Sequence, residues 1–128
     1  MIKTELLHRL TQIEWNDFEV KEASNEVPKS VWETVSAFSN TSGGYIVFGV
    51  KEISGNYEIN GVKNPEKIQN DFLSTIRSEK FNFPVSSKGF MHDFDGKTVI
   101  VFYIPEMTRQ AKPIYFNDDM RNTYIRQG

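Results

Sequence analysis

Ala37-Phe38-Ser39-Asn40-Thr41-Ser42-Gly43-Gly44-Tyr45-Ile46-Val47-Phe48-Gly49-Val50 is the stretch on which the fold turns: an amphipathic helix runs into paired glycines and then into a wholly apolar segment. Val31, Trp32, Val35 and Phe38 fall at helical spacing, and Pro28 suits a first helical turn, where its missing donor costs nothing. Asn40, Thr41 and Ser42 compete for the helix's own backbone bonds, so the helix is expected to stop near Asn40, with Gly43 or Gly44 taking the positive φ that closes a helix C-terminus. Tyr45 to Val50 has no polar interruption and is rich in aromatic and β-branched residues, which predicts a strand buried on both faces. A glycine inside such a strand packs nothing, so Gly49 points to a bulge or a close backbone approach. The order helix, turn, strand puts no helix N-terminus at the glycines, and they are a weak signal for a phosphate loop.

Working outward, Met1 to Thr11 reads as a short helix with Leu6, Leu7 and Leu10 on one side, and Phe18 to Val20 as a strand. Ser54-Gly55-Asn56 is a turn before a short strand from Tyr57 to Val62. Asn64 as cap, Pro65 at the first position and the stripe Ile68, Phe72, Leu73, Ile76 predict a helix ending near Arg77. Pro84 to Phe94 and Lys97 to Ile104 flank Asp95-Gly96, a dipeptide whose tolerance of positive φ suits a two-residue hairpin turn. Pro105 ends the second strand, Arg109 to Asn122 is a long polar loop, and Tyr124-Ile125-Arg126 resumes an extended pattern. The sum is an α+β domain, residues 1–128, with helices packed on a mixed β-sheet.

Composition narrows the chemistry. A chain of 128 residues, 38% of them hydrophobic, suits one compact core. With no cysteine, disulfides, zinc–thiolate sites and thiol catalysis are excluded. No segment approaches the ~20 apolar residues that cross a bilayer, so a soluble, cytoplasmic protein is expected, with no membrane partner. The net charge of −2 is the wrong sign for a bulk electrostatic nucleic-acid binder. The charge is unevenly placed, however: residues 1–60 carry 5 Lys/Arg against 9 Asp/Glu, and residues 61–128 carry 10 against 8.

Four segments, in order, resemble the Schlafen AlbA_2 domains: Glu14-x4-Glu19-Val20-Lys21; Ala37-Phe38-x-Asn40-Thr41-x-Gly43-Gly44-x4-Gly49-Val50; Gly61; and Tyr124-x-Arg126-x-Gly128. Two departures stand out: Val20 replaces the phenylalanine of the family's Glu-Phe-Lys signature, and Lys51-Glu52 stands where an acidic pair often follows Gly-Val. The resemblance implies a DNA-binding module at the N-terminus of a longer bacterial transcriptional regulator, with a further C-terminal domain. It also implies kinship with the Schlafen nuclease core, in which three acidic residues bind metal and cleave RNA; the corresponding positions are Glu14, Glu19 and Glu52.

Two candidate surfaces follow. In the binding reading, Lys21, Arg109, Lys112, Arg121 and Arg126 contact phosphates, with Tyr115, Phe116 and Tyr124 interleaved for base stacking, and no cofactor is needed. The plainer account of the same residues is a surface Glu19–Lys21 pair, a polar turn at Asp118-Asp119 and aromatics that belong to the core. In the enzyme reading, Glu14, Glu19 and Glu52 converge on Mg²⁺ or Mn²⁺, hard cations that need oxygen ligands. The plainer account there is solvated carboxylates at strand ends. A protein-interaction domain that pairs its sheet edge with another subunit is a third reading, and a homodimer would raise the affinity of so small a binding module. His8 and His92 have no metal-site spacing, and no Walker-type loop or Gly-x-Gly-x-x-Gly is present.

Overall fold

A computed structural model describes residues 1–10 and 17–126. Its elements run α1 (Lys3–Leu10), β1 (Phe18–Lys21), α2 (Val31–Asn40), β2 (Gly44–Phe48), β3 (Val50–Ile53), β4 (Asn56–Ile59), α3 (Pro65–Arg77), β5 (Gly89–Phe94) and β6 (Lys97–Ile104). Four strands form a sheet in the order β1-β2-β6-β5, with β1 parallel to β2 and the other pairs antiparallel, while β3 and β4 form a separate two-stranded ribbon. The fold is α+β on a mixed sheet. Parallel neighbours cannot be joined by a tight turn, and α2 is the crossover that connects β1 to β2.

The two faces of the sheet carry two apolar clusters. Ile46, Phe48, Ile100, Phe102 and Ile104 point to one face, where α2 supplies Val31, Val35 and Phe38 and α3 supplies Ile68, Phe72 and Ile76. Phe48, Phe72 and Phe102 meet with ring centroids 4.4 to 5.5 Å apart. Phe18, Val47, Val99 and Val101 point to the other face, covered by Leu6 of α1 and by Val50, Tyr57 and Ile59 of the ribbon. Strand alternation therefore sorts β1: Phe18 and Val20 enter the second cluster, and Glu19 and Lys21 emerge on the α2 side.

Several boundaries differ from the sequence expectation. Tyr45 to Val50 is not one strand: Gly49 adopts φ +102° and divides it, sending β3 out of the main sheet. A Cβ at Gly49 would lie 3.1 Å from the Thr98 carbonyl oxygen and 3.2 Å from Gly61, so close approach and left-handed backbone coincide there. Ser54 and Gly55, both at positive φ, close a β3–β4 hairpin that begins at Val50, and β4 ends at Ile59 rather than Val62. The first strand of the later hairpin starts at Gly89, not Pro84, because residues 84–88 cross the end of α3, where the Val85 amide donates to Ile76. Asp95 and Gly96 both take positive φ, as their turn requires. α2 starts at Val31 with Ser30 as N-cap, so Pro28 precedes the helix, and the Val31 amide bonds to its carbonyl. Leu6 is fully buried but Leu7 is exposed. Thr11 lies outside the described residues.

The paired glycines act as expected. Gly43, at φ +74°, donates its amide to the Phe38 carbonyl at 2.8 Å and closes α2. Gly44 leaves room for the Phe38 ring, which any Cβ there would strike. Among the described residues, no helix is long and apolar enough to cross a membrane.

Candidate nucleic-acid interface

The last turn of α2 presents Ser36, Asn40 and Thr41 toward two extended segments, around Ile114 and around Tyr124. The Asn40 carboxamide accepts from the Ile114 amide at 2.7 Å and donates to the carbonyls of Ile114 and Tyr124 at 2.9 and 3.1 Å. Ser36 Oγ donates to the Ile114 carbonyl and accepts from the Tyr124 amide, and Thr41 Oγ1 accepts from the Arg126 amide. These residues fasten the chain from Tyr124 to Arg126 along the helix. The Tyr124 ring stacks on Phe116, and its hydroxyl donates to Glu33. Burial, and then the Glu33 carboxylate, push the Tyr124 hydroxyl up from its ordinary pKa, so it stays a donor.

So fastened, Arg126 reaches β1. Its guanidinium lies 4.8 Å from the centroid of Phe38 and 3.5 Å from one Glu19 oxygen, while Lys21 Nζ lies 3.9 Å from the other and donates to Ser30 Oγ at 3.1 Å. One half-buried carboxylate thus stands between two half-buried cations, an arrangement with a net positive charge. Next to it, Arg9 donates to Asp17 at 2.8 Å. That hydrogen bond holds the Asp17 carboxyl below the usual range against the opposing effect of burial, with the charges of Arg9 and Arg126 adding to it.

Two of the other candidate cations have carboxylate partners of their own. Lys112 is ion-paired to Glu106 at 2.7 Å, and Arg121 makes a two-pronged contact with Asp119, in which both guanidinium and carboxylate use more than one atom. Arg109 is exposed and has no carboxylate within ion-pair distance among the described residues. Lys21 and Arg126 share Glu19, whereas Lys112 and Arg121 pair with Glu106 and Asp119. Of the aromatic residues nominated for stacking, Phe116 is buried in the core cluster, and Tyr124 is half-buried against it.

Glu14 lies outside the described residues, as do Gln127 and Gly128. Glu52 is exposed on β3, on the same side of that strand as Val50, which enters the cluster beneath α1. Glu19, on the α2 side of β1, is engaged by Lys21 and Arg126. Among the described residues no group of three or more His, Asp or Glu is close enough to hold a metal ion. His92 instead bonds through Nε2 to the Met1 carbonyl.

The spacing of Glu19 and Lys21 made their shared face legible in advance. The Ser36, Asn40 and Thr41 clamp was not, since in sequence Asn40 and Thr41 read as weak helix formers and Ser36 did not stand out. The signal that could have found it is the run of small polar residues on a helix end otherwise buried against the core.

A family model described as Schlafen, AlbA_2 matches residues 14–128. Among solved structures, the N-terminal domain of a protein related to the ATP-dependent DNA helicase RecG from Nitrosomonas europaea, determined in solution by NMR, is 33% identical over 98% of this chain and 88% of its own, with a TM-score of 0.77. The DIP2311 protein from Corynebacterium diphtheriae shares the fold at 16% identity and a TM-score of 0.53, over 81% of this chain and 20% of its own. No curated protein matches.

Proposed function

The chain belongs to the Schlafen AlbA_2 family, and from that membership we propose that it is a nucleic-acid-binding domain, with DNA as ligand, working within a longer transcriptional regulator. The supporting observation is its 33% identity, across nearly its whole length, to the N-terminal domain of a protein described by its relation to a DNA helicase. Lys21, Arg109, Lys112, Arg121 and Arg126 are the proposed phosphate contacts. All but Arg109 are paired with carboxylates, so phosphate binding is an exchange of partners. An exposed pair such as Arg121–Asp119 is worth ~0–1 kcal/mol, which makes the exchange there inexpensive. A partly buried Arg126 already held by Thr41 and Phe38 loses little freedom on binding.

Fluorescence anisotropy with duplex and single-stranded oligonucleotides, at two salt concentrations and with and without Mg²⁺, tests this. A binder associates at low salt, weakens steeply as salt rises and ignores chelator. The rival reading, a Mg²⁺- or Mn²⁺-dependent ribonuclease acting through Glu14, Glu19 and Glu52, requires cleavage that chelator abolishes. No association at low salt ends the binding proposal, and a protein-interaction domain would show neither behaviour.

A further inference from the structure

We infer that the cleft between residues 22–24, 60–63 and 96–98 is a phosphate-backbone subsite, with Lys63 and Lys97 as its cations. The inference rests on the nucleic-acid reading above and adds a surface that reading does not contain. The cleft encloses about 540 Å³, within the ~300–1,000 Å³ typical of small-ligand sites.

Its walls are backbone fixed by mutual hydrogen bonds. The Val62 amide donates to Thr98 at 2.8 Å, the Lys63 amide to Ser24 at 2.9 Å, and the Gly61 amide to Gly49 at 2.8 Å. Gly61 sits so close to Lys97 that a Cβ there would meet the Lys97 Cβ at 3.0 Å. The concavity is therefore built by the Gly49 and Gly61 crossing and is preformed.

Lys63 and Lys97 are exposed and, among the described residues, have no carboxylate within ion-pair distance and no aromatic ring beneath them. In this they differ from Lys21, Lys112, Arg121 and Arg126, each of which has a carboxylate partner. Glu22 is the single carboxylate in the lining; Lys51, 3.7 Å away, offsets its charge, and the Asn60 carboxamide donates to it at 3.2 Å. Ser24, Asn60 and Thr98 offer further polar groups, whereas no aromatic side chain lines the cleft. Without a ring to stack on, bases gain nothing here; the chemistry fits sugar and phosphate, which position a strand but do not read it.

The test titrates a labelled oligonucleotide into the wild type, the double variant Lys63→Gln/Lys97→Gln, and the equally charge-depleted control Arg77→Gln/Lys88→Gln, whose substitutions lie outside the cleft. Loss of two phosphate contacts lowers the slope of log affinity against log salt by about 2 and weakens binding roughly tenfold at low salt, alike for every sequence. In ¹H–¹⁵N spectra the amides of Ser24, Gly61 and Thr98 shift as oligonucleotide is added, and the spectrum of the free double variant checks that it is folded. Equal losses in the cleft variant and the control, or wild-type affinity with shifts confined elsewhere, overturn the cleft while leaving nucleic-acid binding intact. A wild type that binds no oligonucleotide at low salt overturns both.

Discussion

Asn40→Ala separates a positioning role at the end of α2 from a merely tolerated polar residue. Truncation removes the acceptor of the Ile114 amide and the donors to Ile114 and Tyr124. The Ile114 carbonyl keeps its bond from Ser36, and the Tyr124 carbonyl lies where water can replace the carboxamide. The Ile114 amide has neither recourse, because Ile114 is fully buried. Leaving one buried donor unpaired costs ~1–3 kcal/mol and the two bonds to carbonyls, which keep or regain a partner, together about another 1 kcal/mol, so the variant should be ~2–4 kcal/mol less stable. For a domain of this size that is a fall in Tm of about 10 °C. Urea unfolding followed by circular dichroism gives the free energy, and hydrogen exchange shows where it is lost: the amides of Tyr124 and Arg126 should exchange faster while those of β2 and β6 fall only with global stability. Asn40→Asp keeps the acceptor but sets a carboxylate against two carbonyls, so it should be no better than alanine. A loss below about 0.5 kcal/mol, or unchanged exchange at Tyr124 and Arg126, would refute the clamp.

Three further outcomes are expected. Glu19→Gln leaves Lys21 and Arg126 without their shared counter-charge and should tighten oligonucleotide binding about two- to fivefold; a ribonuclease would lose its activity in the same variant. Gly49→Ala forces a side chain onto φ +102° against Thr98 and Gly61, and should cost ~2 kcal/mol or more in urea unfolding, with near-wild-type stability counting against the close approach. The Asp17 carboxyl is held below its ordinary value by Arg9, so its stabilisation is complete above about pH 4 and disappears as pH falls through the lower folded value. Comparing wild type with Asp17→Asn across pH 2 to 7 should therefore show a difference that is flat at neutral pH and closes in acid, below ~1 kcal/mol throughout because the Asp17 side chain is 44% exposed; a difference that grows in acid would reverse the assignment.

What could be read in advance was what local rules decide. α3 announced itself through Pro65 and its apolar stripe, and the β5–β6 hairpin through Asp95-Gly96, because capping, periodicity and turn chemistry act over a few residues. Gly49 stood out as a bulge or close approach, but not as the end of the strand, and nothing near it in the chain says that Thr98 and Gly61 will press against it. β3 was missed because Lys51, Glu52 and Ile53 are all exposed and show no alternation. The site divides the same way. Lys21 and Glu19, two residues apart, share a face by strand geometry, but the seating of Arg126 on Glu19 depends on contacts between distant parts of the chain, while Lys112 and Arg121 take carboxylate partners only six and two residues away, at Glu106 and Asp119. A count of basic residues in a loop that ignores its own carboxylates overstates the cations left for a phosphate.

The tip of the β3–β4 ribbon has a practical use. A side chain added at Gly55 would meet no atom within 4 Å, neighbouring Asn56 is exposed, and the protein contains no cysteine. Asn56→Cys therefore offers a single thiol for maleimide attachment of a fluorophore or spin label, a reporter on the protein itself whose signal can be followed while both apolar clusters remain untouched.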